Sequence, residues 1–524
     1  MMPLVYPQPV TLEWIARFNA RQSASPWTMS VDKFGNTYVS GSYGTSRSKN
    51  MTIKYNSSGR LQWLRLYQGP DTIIGVGGLD LALKNLADDA GNIYVTGVSA
   101  DNENGWDIFT IKYNTYGDTI WTRRYNGPGN AHDIPSAMVI DKYSNIYITG
   151  ESHGGTVTAI DYVTIKYDSS GNQIWVQRYD YYNGVEIPAS LAIDSTGNIY
   201  VTGYLTDFDL LYKYCTVKYN NAGVQQWARK YSWTDDAKAT SVAVDASGFV
   251  YVVGYVRNPP PINESIVTLK YDSIGVQVWD KEFNRAASKE VLVDSLANVF
   301  VTGSAVIKYN TNGIFQWADT STPGYQIYAI LDKSGNLYVA KAVSLPLSYI
   351  WYISTTKYNT NGVKLWQMNY GGIYNQVLDC SGIAIDNNSK VYVSAYTYCV
   401  NGLQCSDTIL TFKYSQLIGI NPISNQIPNR YFLYQNYPNP FNPVTKIKFD
   451  IPAPLNPPKG GINRLVTLKI YDILGREVAA LVNEELNSGT YEVEFIGSNL
   501  PSGVYFYRLI ANNNILTKKM ILIK

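Results

Sequence analysis

Apolar and polar residues alternate with a period of two over short runs, four runs at a time, and the set of four then begins again. Residues 190–231 show one set: Ser190 to Asp194, Asn198 to Tyr204, Cys215 to Asn220 and Gln225 to Tyr231, all rich in β-branched and aromatic residues. These runs predict strands a, b, c and d of a four-stranded antiparallel sheet. Between a and b lies Asp194-Ser-Thr-Gly-Asn198, and between c and d lies Asn220-Asn-Ala-Gly223. Asp and Asn bond their own backbone in such turns, and Gly accepts a positive φ.

Two signatures count the sets. Lys-Tyr followed by Trp nine residues after the Lys occurs seven times, pairing Tyr55 with Trp63, Tyr113 with Trp121, Tyr167 with Trp175, Tyr219 with Trp227, Tyr271 with Trp279, Tyr309 with Trp317 and Tyr358 with Trp366. An eighth Lys413-Tyr414 has no Trp after it, while Trp14 has no Lys-Tyr before it. The two fragments complete each other. Asp-x-x-x-Asn-x-Tyr-Val, or a close variant, begins at Asp32, Asp88, Asp141, Asp194, Asp245, Asp294, Asp332 and Asp386, which again makes eight. The expected architecture is an all-β, eight-bladed β-propeller over residues 11–414, behind a short tail at 1–10. The N-terminal strand Thr11 to Phe18 closes the last blade as its strand d.

Alternating strand directions put the a–b and c–d turns on one face and the b–c and d–a connections on the other. The turns barely vary. The b–c segments run from Val98 to Phe109, Tyr204 to Tyr214, Tyr255 to Ile266 and Ala395 to Ile409, against a vestigial Ser304-Ala305. Loops that differ among similar repeats are where a scaffold carries specificity. Beyond Tyr414 the register stops. Residues 415–430 read as a linker, and 431–524 hold the runs Thr445 to Ile451, Leu465 to Asp472, Thr490 to Phe495, Val504 to Ala511 and Ile515 to Ile523, which suit a small β-sandwich.

Both parts resemble known families. Through the blocks D-x-x-G-N-x-Y-V-T-G and T-I-K-Y-N-x-x-G, residues 11–414 resemble the SBBP family of bacterial β-propeller repeats. The C-terminal segment resembles the type A sorting domain of the type IX secretion system, found in Bacteroidetes and Chlorobi relatives. The residues that carry this likeness are Asn436-Tyr-Pro-Asn-Pro-Phe-Asn-Pro443, Ile470-Tyr-Asp-Ile-Leu-Gly-Arg-Glu-Val478, Ser502-Gly-Val-Tyr-Phe-Tyr507 and Lys518-Lys-Met-Ile-Leu-Ile-Lys524. The resemblance implies an immunoglobulin-like module read by the type IX translocon, with Gly503, Tyr505, Lys518, Lys519, Met520 and Lys524 in the sorting signal. It also implies a secreted or outer-membrane-attached protein, and Pro452 to Asn463 is then a lengthened loop. Such cargo first crosses the inner membrane on a signal peptide, which is not visible in Met1 to Val10.

Composition narrows the chemistry. Of 524 residues, 43 Lys+Arg against 41 Asp+Glu leave a net charge of +2 with no basic block, which argues against a nucleic-acid partner. No apolar run is long enough to span a bilayer. With 2 His among 45 Tyr and 41 Gly, candidates for acid–base catalysis are few. His132 beside Asp133, and His153 within Glu151-Ser-His-Gly-Gly155, lie on the variable face without a specified nucleophile, so no catalytic residue is assigned. Nor is a metal or cofactor site. Each a–b turn offers one or two carboxylates, fewer than calcium needs, so its Asp is read as a turn cap. The eight Trp, placed alike in every blade, are read as inter-blade packing. Of the four Cys, Cys399 and Cys405 can bridge if the compartment is oxidising, and Cys215 and Cys380 are core residues.

Aromatic residues outside the repeating register are the candidate ligand contacts: Trp106, Tyr181, Tyr182, Phe208, Tyr212, Trp233, Trp351 and Tyr352. Such rings stack on sugars, anchor peptides or cover loop bases. The expected function is binding of a glycan or a surface protein by an exported monomer. A polysaccharide lyase or glycosidase on the same scaffold, or a structural surface-layer component, are the alternatives. An enzyme would bring two carboxylates, or a Tyr and a base, together at the channel mouth.

Overall fold

The computed structural model describes residues 10–20, 23–45, 48–69, 80–100, 105–155, 159–206, 208–233, 236–257, 264–284, 287–321, 324–345, 350–374, 376–399, 408–416, 422–424, 427–453, 464–486, 488–497, 500–512 and 514–523. The described elements are all strands, and the contact pattern divides the chain into Leu12–Tyr414 and a second unit containing Ser415–Lys524.

In the first unit, eight four-stranded antiparallel sheets follow one another, at 24–67, 80–125, 133–179, 186–231, 237–283, 288–319 and 325–374, with 376–416 completed by Val10–Asn19. They are blades 1 to 8. The first strand of every blade touches the first strands of its two neighbours, and the cycle returns from blade 8 to blade 1, so the sheets form a closed ring. This is an eight-bladed β-propeller. Its core lies between blades: Tyr200, Tyr214 and Trp227 of blade 4 pack with Ala237, Val242, Val252 and Leu269 of blade 5.

The repeated motifs are the parts of one inter-blade lock. In blade 1 the Trp63 indole N–H and the Lys54 ammonium both donate to the Thr115 carbonyl in the c–d turn of blade 2, at 3.1 and 2.8 Å. Lys54, only 5% exposed, lies over the Tyr38 ring, and the Tyr38 hydroxyl donates to Asp32. Asp32 Oδ1 also accepts the Phe34 and Asn36 amides, which caps the a–b turn. A Cβ on Gly117 of the receiving turn would lie 2.9 Å from the Trp63 ring, and its φ of 83° suits glycine. Trp and Lys share a carbonyl in the same way at Ser169, Ser273, Thr311 and Thr360.

At the ring's seam the two donors come from opposite ends of the propeller chain. Trp14 and Lys413 meet at the Ser57 carbonyl, at 3.0 and 3.1 Å. Val10–Asn19 forms the outer strand beside Thr408–Gln416, and Glu13 pairs with Lys390 and Lys413. Burial raises the proton affinity of Glu13, but the two lysines outweigh it and hold the carboxyl below its ordinary value.

Strand a begins earlier than its alternation suggests. In blade 4 it runs Glu186–Ile193, and a register shift between Pro188 and Ser190 interrupts the period of two, so the pattern is legible only from Ser190.

The second unit packs two four-stranded sheets around one core that includes Ile447, Phe449, Leu468, Ile470, Tyr491, Tyr507, Met520 and Leu522. The strand Glu477–Leu486 is absent from the sequence reading, because its Ala and Glu-rich run carries weak β signal and two register shifts lie in its pairing. Within 415–430, read as a linker, Pro422–Ser424 pairs with the strand Gly489–Ile496. The loop 454–463 lies outside the described residues.

Deleting residues 1–21 is expected to expose the edge of Thr408–Gln416 and turn a soluble ring into aggregates on size-exclusion chromatography. A soluble product with unchanged melting temperature would count against the seam. Gly171→Ala, whose Cβ would sit 2.7 Å from the Trp121 ring at φ 83°, should cost about 2 kcal/mol in denaturant unfolding.

Candidate functional site

The b–c and d–a connections of blades 3 to 5 bring scattered aromatic residues into one place. The d–a connection after Gln173–Tyr179 is fixed at both ends: Asp180 accepts the Asn183 amide at 2.8 Å, and Val185 exchanges bonds with the end of Ile199–Thr206. Between these anchors Tyr182 and Asn183 adopt φ of 56° and 55°. Left-handed backbone at non-glycine residues costs free energy and persists where the surroundings impose it. Here it turns the Tyr182 side chain outward, 70% exposed.

Tyr182 meets Tyr181 edge-on, with ring centres 4.6 Å apart, and lies 5.1 Å from Phe208, which is 80% exposed. Leu210, at φ 61° and 81% exposed, continues the apolar surface on the b–c loop of blade 4. Lys230 lies over the Tyr181 ring and contacts its hydroxyl. On strands b and c of blade 4, Tyr204 and Tyr212 stand 5.2 Å apart, and the Lys238 ammonium lies 4.6 and 3.9 Å from their ring centres.

The other candidates lie apart. Trp106 stacks 4.8 Å from His132, which is 6.1 Å from His153. Burial, then His132 and Arg178, lower the proton affinity of His153. Trp233 packs against the core between blades 4 and 5, 6.1 Å from Tyr231, so it covers a loop base. Trp351 pairs with Tyr325 in blade 7, and Tyr352 is next to it on the same strand. The Cys399 side chain and Cys405 lie outside the described residues, while Cys215 and Cys380 are buried free thiols.

Sequence reading leaves out a group of acids at the junction of blades 3 and 4. Oxygen atoms of Asp161, Asp180 and Glu186 all lie within 4.8 Å of one another. They come from strand c of blade 3, the d–a connection and strand a of blade 4, so no linear motif marks them. Arg178 bonds Asp161 Oδ2 through both Nε and a terminal nitrogen. Burial pushes Glu186 up to about 8, and it pushes Asp133, in the matching position of blade 3, up to about 6.

In the second unit the residues around the expected sorting signal are interlocked. The Tyr507 hydroxyl accepts the Asn436 amide and donates to the Tyr434 carbonyl, both at 2.9 Å. Asn436, 2% exposed, donates to Pro438 O and Thr445 Oγ1. Phe441 and Asn439 bond the terminal strand at Ile521 and Ile523. Gly503 opens the strand before it, Tyr505 donates to Pro501 O, Met520 is fully buried, and Lys518 and Lys519 sit on the terminal strand. Lys524 lies outside the described residues.

Residues 435–524 match the family model described as a secretion system C-terminal sorting domain, and residues 120–155 match that described as a beta-propeller repeat. The protein is a type IX secretion cargo. It is secreted or attached at the outer-membrane surface, and no helix among its described residues is long and apolar enough to cross a membrane. An uncharacterized WD repeat-containing protein of Acanthamoeba polyphaga mimivirus is 27% identical over 293 residues, which make up 45% of this chain and 20% of that relative. The match thus spans a fifth of the relative's length. Among solved structures, the Dos1 propeller has a TM-score of 0.47 at 10% identity, covering 76% of this chain and 93% of that one. Sqt1 from Chaetomium thermophilum has 0.49 at 10%, covering 77% and 100%.

Removing residues 518–524 from this cargo takes away Met520, Leu522 and the bonds to Phe441. Cell fractionation should then find the protein in the periplasm with a folded propeller, and undiminished export would contradict the role of the sorting domain.

Proposed function

We propose that the protein is an exported glycan-binding propeller whose ligand stacks on the Tyr182–Phe208 shelf. The observation that carries this reading is the pair of rings, 5.1 Å apart and 70% and 80% exposed, with Lys230 over the adjoining Tyr181 ring. A sugar ring offers apolar C–H faces to aromatic rings and hydroxyls to flanking polar groups, which is the chemistry this surface presents. Export to the outer surface places the shelf where polysaccharides are met.

Burial favours binding over hydrolysis. Asp133 and Glu186, two carboxyls whose proton affinity burial raises, are 1% and 0% exposed, so neither reaches a bound sugar as an acid or base.

A glycan and polysaccharide array with the full chain should give hits that Tyr182→Ala with Phe208→Ala weakens about tenfold, the loss of one good stacking contact. Circular dichroism should stay unchanged, since both rings are exposed. Equal binding by the double variant, or an array without hits, overturns the reading.

A further inference from the structure

We propose that Asp161, Asp180 and Glu186 form a binding site for a hard divalent cation, calcium in the extracellular medium, at the seam between blades 3 and 4. Three carboxylates with oxygens mutually within 4.8 Å repel one another, and Arg178 offsets only one of the charges. A cation bridging them removes that repulsion. An all-oxygen donor set selects calcium-class or magnesium-class ions over softer metals.

A second observation points to a ligand. Glu186 is 0% exposed, and both of its carboxylate oxygens lack a partner at hydrogen-bond distance and angle. The Tyr181 backbone N–H lowers its proton affinity by less than burial raises it. A buried carboxylate with so little donor support is costly.

The ring supplies its own control. At the seam between blades 2 and 3, the matching residues are Asp107, Asn126 and Asp133, and there the Gly127 amide caps Asp133 at 2.7 Å. Asp80, one blade earlier, likewise accepts the Gly69 amide at 3.0 Å. In blade 4 the acid is one methylene longer, and its oxygens reach the other two acids. Asn126 is meanwhile replaced by Asp180, which is exposed and gives the ion its route in from solvent. The remaining ligands are waters and carbonyl oxygens of the connection.

The site stands independently of the glycan reading, and its test uses calcium chloride alone with the chelator-treated full chain. Titration calorimetry at pH 8 should give one site, with an affinity of about 0.1–1 mM, the range of extracellular calcium modules. Calcium should raise the melting temperature. Glu186→Gln should lose at least about tenfold in affinity, while melting no lower than the parent in chelator. Asp180→Asn, at an exposed position, should weaken binding in the same direction. No saturable heat up to about 10 mM calcium, or parental affinity in Glu186→Gln, overturns the proposal.

Discussion

The ring depends on one carbonyl oxygen per blade junction. At Thr115, Ser169, Ser273, Thr311 and Thr360 it accepts the indole N–H and the ammonium of the preceding blade together, in a setting where the lysine is largely withdrawn from water. Desolvating a lysine is costly, and burial lowers the proton affinity of Lys54 and Lys112, but Asp32 and Asp88 raise it again through the field they impose from the a–b turn. Asp, Tyr, Lys, Trp, the receiving carbonyl and the turn glycine therefore form one unit, and removing any of them leaves another without its partner. Locks of this kind from blade 1 to blade 7 make only an open arc. Trp14 and Lys413 convert the arc into a ring because they meet at Ser57 from opposite ends of the propeller chain.

That constraint explains what the sequence discloses. The motifs D-x-x-x-N-x-Y and K-Y…W recur because each residue has a stereochemical task repeated at every junction, so the architecture, the count of eight and the role of the orphan Trp14 can all be read before any coordinates. Strand a escapes the same reading, because its register shift breaks alternation near the channel. Glu477–Leu486 escapes because its stability comes from packing under Val482 and Leu486 rather than from local propensity.

The candidate site is less legible, for a physical reason. Aromatic residues that break the register can be listed from sequence, but their company depends on loop paths. Tyr181, Tyr182 and Phe208 converge because a left-handed turn at Tyr182 and Asn183 aims one connection at the next, whereas Trp233 folds back onto the core. The acid cluster is harder still. Asp161 and Glu186 are 25 positions apart, and nothing local in either strand announces the other.

Near-identical repeats turn small departures into information. The uniform face is held by the locks, so substitutions there disturb closure. The other face is free to vary because its connections carry no part of the lock, and a residue that differs from its equivalents there has been released from the repeat's own demands. Glu186 is such a residue: Asp80 and Asp133 accept glycine amides at 3.0 and 2.7 Å, while the longer side chain has no donor at hydrogen-bond distance and angle and is nonetheless fully buried. A scaffold that twice meets one oxygen of a short acid here with a backbone donor has a cheaper solution at hand. The departure in blade 4, at the end of the connection that carries Tyr182, is what ties the acid cluster to the variable face rather than to the stability of the ring.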